Sequence, residues 1–402
     1  MRNCGHNPQT MHTGTPRSYC AAPLARLDAI ARARHALLVE GVAGSGGLIQ
    51  PWIERSWQRC LALGHEPRQP VAFDALSRAA MHRAADASQA LTQAAHPVLQ
   101  ELGRALADTQ YFAILTNAEG VVVEVNGPIN RGDRRADLIT RVGVDLSERN
   151  VGTTAIGAAL TELQPVWLHR GEHFFNGTSC YSCAGAPVFG PRGQCVGMLD
   201  LTGVDAPERP ELKHLVTQSA RSIENALALH QAHALLLRLN WPGRHLGEDA
   251  DGLIGLDRDG FVTTSNSAAR QMVPQLLGAA APLAQTHSSE LFALPFEMLF
   301  DAARRDAAVM EVPLWSGLLL QALALPAAHA DGSSAAARPM PSNAPEPLDQ
   351  RRLKDIETAL IRKAVADAKG NVSKAAQRLG VSRATVYRKL GISTSSVKYA
   401  GR

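Results

Sequence analysis

Apolar residues first recur at helical spacing. Leu27, Ile30, Ala33, Leu37 and Leu38 share one helix face. Pro51 opens a second helix through Trp52, Ile53, Trp57, Cys60 and Leu61, where a first-turn proline sacrifices no hydrogen bond. A third helix is predicted over 74–107. The period changes at Tyr111. Tyr111–Leu115 and Val121–Val125, joined by a turn at 117–120, read as a β-hairpin. Further strands are predicted at 165–169, 186–189 and 194–200, with Gly-Pro-Arg-Gly at 190–193 as a turn and a helix over 154–163. This mixture makes 109–205 an α+β domain, preceded by a helical region over 26–108.

Leu212, Leu215, Val216, Ile223 and Leu227 then predict a long helix from Pro210 to Leu239, filling a connecting segment at 206–240. About 29 residues would span roughly 43 Å, a length suited to dimer pairing or to joining modules; a single buried helix is the plainer alternative. A second small α+β unit is expected over 250–326. In it Leu253–Val262 reads strand, turn, strand, and Asn266–Met272 reads as a short helix. The apolar run Val312–Ala328 reads as a core strand, since Ser316, Gly317 and Gln321 interrupt it too often for a membrane span. Residues 1–25 read as disordered, 327–347 as a Pro/Ala linker, and 393–402 as a tail.

Composition sharpens this picture. Hydrophobic residues make up 45% and aromatics 5%, so the chain can bury cores and favours helices over an all-β fold. No apolar signal-peptide core opens it, and six cysteines form no disulfide framework, so a cytoplasmic protein is expected. The net charge of +4 conceals an asymmetry. Residues 351–402 hold 13 Lys/Arg against 3 Asp/Glu, whereas the preceding residues hold 28 against 34. A basic tail on a mildly acidic body is the footprint of a tethered nucleic-acid reader.

The pattern within 348–392 agrees. Leu353, Ile356, Leu360, Ile361, Ala364, Val365 and Ala368 form one helix face, ended by Gly370. Asn371 caps a second helix whose inward face is Val372, Ala375, Ala376 and Leu379; Gly380 makes the turn and Ser382 caps a third helix. There Val386 and Leu390 face inward, Arg388 points away, Thr385 and Tyr387 flank it, and Arg383 lies in the first turn. A major groove admits one such helix and meets its N-terminal residues, with Arg reading guanine and Lys neutralising phosphate.

The run 370–390 closely resembles the Fis-type DNA-binding domain. That resemblance implies dimerisation on double-stranded operator DNA, with Ser382, Arg383, Thr385, Tyr387, Arg388 and Lys389 at the interface. The body has its own resemblance. Arg55-Ser-Trp-Gln-Arg-Cys-Leu61, the run 150–160, Glu172–Phe175, Cys183–Pro187 and Gly197–Gly203 resemble acetoin/glycerol-metabolism-type bacterial activators. In that family 109–205 would be a GAF sensor domain and 250–326 a PAS-like second sensor. Many relatives insert a sigma-54 activator ATPase before the tail. This chain has no G-x-x-x-x-G-K-[ST] loop to cradle phosphates and no polymerase-contact loop of that type. The expectation is a regulator without ATPase or other enzymatic activity, homodimeric, with RNA polymerase as a further candidate partner and no membrane association.

The expected effector is a small organic molecule held by Trp167, His169, His173, Phe174, Phe175 and Cys183, an apolar wall with polar handles. No metal or cofactor is expected. Cys180-Tyr-Ser-Cys183, with Cys195 nearby, keeps two alternatives open: a metal or thiol redox sensor, and a GAF-type thiol enzyme reducing free methionine sulfoxide.

Overall fold

A computed structural model describes residues 21–42, 44–277, 285–305, 309–326, 372–379 and 386. The chain divides into two compact units, 1–329 and 330–402. The expected linker at 327–347, the first tail helix and the C-terminal tail lie outside the described residues.

Helix α1 (Ala21–Arg34) begins inside the stretch read as disordered. Helix α2 (Pro51–Ala62) carries Pro51 at its first turn and buries Trp52, Ile53, Trp57 and Cys60, as their spacing predicts. The single helix predicted over 74–107 is two, α3 (Arg78–Ala87) and α4 (Gln89–Ala105). The Ser77 hydroxyl accepts from the Ala80 amide and so starts α3 late, while Ala75 before it bridges Val144. The two helices meet at the buried Ser88.

Strands β1 (Tyr111–Asn117) and β2 (Val122–Asn126) form the expected hairpin. Three short helices follow, α5 (Arg134–Ile139), α6 (Glu148–Val151) and α7 (Ala155–Glu162). Strand β3 (Val166–His169) matches its prediction; β4 (Tyr181–Phe189) starts earlier than expected, and β5 is Cys195–Val204. They complete an antiparallel sheet in the order β2-β1-β5-β4-β3. Helix α8 (Leu212–Leu229) buries Leu212, Val216, Ala220, Ile223 and Leu227 with α4 against one sheet face. A separate core containing Ile114, Met198, Tyr181 and Cys183 fills the other face beneath α2 and α7.

The long helix predicted to Leu239 is corrected. It ends at Leu229, and Leu235–Asn240 is strand β6. A run of leucines fits a buried helix or a strand buried on both faces equally well; periodicity alone cannot separate them. Here pairing on both sides decides. Leu237 lies opposite Ile254 of β7 (Gly252–Leu256) and opposite Ala324 of a later strand. The second α+β unit therefore begins near 235 rather than 250.

That unit continues through β8 (Val262–Ser265), α9 (Ser267–Met272), α10 (Ser288–Leu291) and α11 (Phe296–Arg304). The core strand predicted over 312–328 is a hairpin, β9 (Val309–Pro313) and β10 (Leu319–Pro326). Gly317, at φ +84°, makes the turn a side chain would strain. The sheet order is β8-β7-β6-β10-β9. This is the spatial plan of the first sheet with the central strand moved from last to first in the chain. In the second unit α12 (Val372–Leu379) is described, with Ala376 and Val386 buried against Val372, the inward positions of the predicted helix-turn-helix.

Candidate functional site

Strand alternation builds the site. On β5 the Met198, Asp200 and Thr202 side chains face the α2/α7 side, while Leu199 and Leu201 face α4 and α8. On β4, Tyr181 and Cys183 share that first side. Between them and the 173–178 loop lies a cavity of about 30 Å³. Ile114, Ile139, Leu146, Val151 and Ile156 supply its apolar wall; His173, Thr178, Tyr181, Cys183, Asp200 and Thr202 bring polar atoms to it. That volume exceeds the 10–15 Å³ or so needed for one water.

His173 is fully buried, and its Nδ1 sits 2.9 Å from the Arg170 carbonyl oxygen. Nδ1 therefore carries the proton, leaving Nε2 an acceptor 3.5 Å from Cys183 Sγ. Burial pushes the imidazole down to about 4. Burial likewise drives the Cys183 thiol well above its usual range, so the pair is a neutral thiol beside a neutral imidazole. Asp200 is buried too; desolvation lifts its carboxyl to about 7, against the Thr202 hydroxyl that donates to Oδ2. Oδ1 of Asp200 has no hydrogen-bond partner among the described residues.

The loop that carries His173 is held from outside. Arg34 donates to the carbonyl oxygens of Gly171 (2.8 Å), His173 (2.5 Å) and Phe174 (2.9 Å) and to Asn176 Oδ1 (2.8 Å), and its guanidinium lies over the Trp57 ring. Trp57 Nε1 donates to the Glu172 carbonyl oxygen (2.9 Å). Arg26 bonds the buried Glu172 carboxylate at 3.0 Å. The two N-terminal helices thus hold the cavity's loop in place.

Of the six residues expected to hold an effector, His173 and Cys183 line this cavity. Trp167 and His169 do not. They stack at 6.4 Å, with Trp167 in the α4/α8 core and His169 Nδ1 bonded to Ser182 Oγ. Phe174 and Phe175 pack edge to face in the shared core, Phe175 against Gly152, where a Cβ would meet the ring at 2.8 Å. Side-chain alternation accounts for the split: Trp167 and His169 occupy one face of a strand and so move together. Asp200, Thr202, Thr178 and Tyr181 are the additions. A legible signal existed, since Met198, Asp200 and Thr202 alternate with leucines, placing two polar groups on a buried face.

Among the described residues the cysteines are free thiols at Cys60, Cys180, Cys183 and Cys195, and burial raises all four, Cys60 to about 11. A nucleophilic or metal-binding sulfur needs the opposite shift. A larger groove, about 500 Å³, runs between α4, α8 and residues 248–250. Its carboxylates, Glu101 and Glu248, are exposed and keep their water. Among the described residues no helix is long and apolar enough to cross a membrane. The proposed DNA contacts Ser382, Arg383, Thr385, Tyr387, Arg388 and Lys389 lie outside the described residues.

The N-terminal domain model of MimR matches residues 26–225, and the model of the Fis family of bacterial regulatory proteins matches 352–391. The acetoin catabolism regulatory protein of Cupriavidus necator is 29% identical over 266 residues, covering 63% of this chain and 38% of that protein. The propane 2-monooxygenase operon transcriptional activator MimR of Mycolicibacterium goodii is 29% identical over 199 residues, 49% of this chain and 33% of that protein. The chain thus spans well under half the length of these curated relatives. The solved complex titled Escherichia coli DhaR(N)-DhaL aligns with 69% of this chain and 100% of that chain, at 16% identity and a TM-score of 0.42. The homologues of this chain are transcriptional regulators of the acetoin and MimR type, with a Fis-type helix-turn-helix.

Proposed function

We propose that this protein is a transcriptional regulator that binds operator DNA through 348–392 as a homodimer and responds to a small organic effector held in the cavity beside Asp200. The observation that carries the DNA-binding half is the match of 352–391 to the Fis family, in the segment with ten surplus positive charges. The effector half rests on the cavity's buried polar groups in an apolar wall, the usual composition of a small-molecule site. The first sheet would then be the GAF-like sensor and the second a PAS-like unit. Regulation would proceed without ATP hydrolysis, as the missing phosphate-cradling loop implies, and in the cytoplasm, where RNA polymerase is the candidate partner.

Chromatin immunoprecipitation with sequencing would identify the operator, and gel shifts on it test the reading. Arg383→Ala or Arg388→Ala is expected to weaken binding by about 1–3 kcal/mol if the lost contact is bidentate. Unchanged affinity in both removes the assignment of the third tail helix. Cys180→Ser is expected to leave the effector response intact and His173→Ala to reduce it. Loss of response in a folded Cys180→Ser protein, with zinc or iron bound to the wild type, would replace the organic effector with a metal or redox signal.

A further inference from the structure

The cavity beneath α7 contains an acceptor that no protein atom meets. Asp200 is 1% exposed, its Oδ2 takes the Thr202 hydroxyl, and its Oδ1 has no partner. Buried polar atoms in folded proteins are nearly always met, by protein, water or ligand. Thr154 apart, the side-chain donors that line the cavity are already committed. Thr178 Oγ1 gives its hydrogen to the Phe175 carbonyl oxygen at 2.9 Å, and the Tyr181 hydroxyl gives its own to the Arg135 carbonyl oxygen at 3.0 Å. His173 Nδ1 donates to Arg170, and the Cys183 thiol faces His173 Nε2 at 3.5 Å and Thr202 Oγ1 at 3.3 Å. The Thr154 hydroxyl, which accepts from the Gly157 amide, keeps a hydrogen to offer. Among the described residues no Lys or Arg lines the cavity.

From this inventory we infer that the cavity takes a small ligand whose head group donates hydrogen bonds, a hydroxyl or a primary ammonium, and that Asp200 is the residue that selects it. The inference rests on the effector-binding reading above. Above about pH 7, where Asp200 is ionised, a carboxylate head would bring a second negative charge against Oδ1 with no lining cation to offset either, so anions are refused there. A volume near 30 Å³ is two to three times the space one water needs, so the enclosed head is about two heavy atoms. Thr154 can serve one acceptor on the same ligand.

Calorimetry on the full chain at pH 8, where Asp200 is ionised, with three small probes, methanol, methylamine and formate, tests this. Methanol or methylamine is expected to bind and formate is not. Asp200→Ala should weaken the binding at least about tenfold. The near-isosteric Asp200→Asn separates the two heads, because it keeps an acceptor oxygen and loses the charge: methanol should bind within a few-fold, methylamine should not. Tighter binding of formate, donor-probe affinity unchanged in a folded Asp200→Ala protein, or no binding by any probe would each overturn the inference. The wild-type ranking needs no variant, so a misfolded Asp200→Ala leaves the test standing. Operator gel shifts without probe keep the two readings apart. Intact DNA binding with failed probes sinks the donor-head inference alone, whereas absent DNA binding sinks the regulator.

Discussion

Burial keeps Asp200 neutral below about pH 7 and His173 neutral above about pH 4, and the two pull the pH dependence of stability in opposite directions. The Asp200 carboxyl is raised to about 7 from 3.8, so between those values the fold holds a proton that the unfolded chain has released. Stability from this group therefore falls as pH rises from about 4 to 7. His173 is lowered to about 4 from 6.5, so across that window the unfolded chain holds the extra proton and stability rises with pH. The two slopes nearly cancel. Asp200→Asn removes the first and leaves the second, so its stability relative to wild type should climb by about 3 kcal/mol from pH 4 to pH 7. Urea unfolding at a series of pH values measures this; a flat difference would mean that the Asp200 carboxyl is not neutral in the fold. Arg34 is the other residue to probe. Removing it strands three carbonyl oxygens around the His173 loop, and Arg34→Ala should cost about 3 kcal/mol and weaken effector binding with it. Loss of stability without any change in binding would separate the clamp from the cavity.

At the scale of elements, helix α8 joins the two sheets through buried polar groups. Glu224 accepts from the Phe189 amide at the end of β4 (3.0 Å) and from the Ser267 amide at the start of α9 (3.3 Å). Asn266 caps α9 through the Ala269 amide (2.8 Å) and donates to Asn225 of α8 (2.7 Å) and to the Asp251 carbonyl oxygen (2.8 Å). Asn266→Ala loses a cap and strands partners on both sides, so a cost of about 2–3 kcal/mol is expected in thermal or urea unfolding. A cost below about 0.5 kcal/mol would show that α8 and α9 hold together by apolar contact alone. On the proposed reading this junction also bears on signalling. Since α8 packs behind β4 and β5, whose other side lines the cavity, a ligand-dependent shift of those strands has a short path to the second sheet.

For the whole molecule, charge is the organising fact. On the proposed reading, the tail's surplus of ten positive charges and the body's slight negative balance would make DNA affinity a property of the tail and strongly salt-dependent. Lys389→Ala is expected to weaken binding to all sequences alike and to reduce the salt slope by about one unit, readable from gel shifts at several salt concentrations. A loss confined to one operator would instead make Lys389 a base reader. Dimerisation would raise the effective concentration of the second reading head, so an effector that shifts the dimer equilibrium could regulate without bending either domain.

Much of this was legible in the residues. Leu27 to Cys60, the β1–β2 hairpin, α7 and the helix-turn-helix all follow from local spacing, because a helix or hairpin declares itself over a window of ten or so residues. The Asn266 cap and the Pro51 start are written at single positions. What required the tertiary structure was whatever depends on partners distant in the chain. Leu235–Asn240 carries no periodicity that separates strand from helix, and it is a strand because β7 and β10 pair with it from both sides. The cavity is of the same kind. Trp167 and His169 had the right chemistry and the wrong sheet face, whereas Asp200 became a candidate only when β4, β5 and the 173–178 loop closed round it and left one oxygen unmet. Composition and spacing determine which groups a chain owns; only folding decides which of them lose their water, and with it acquire a reason to bind something else.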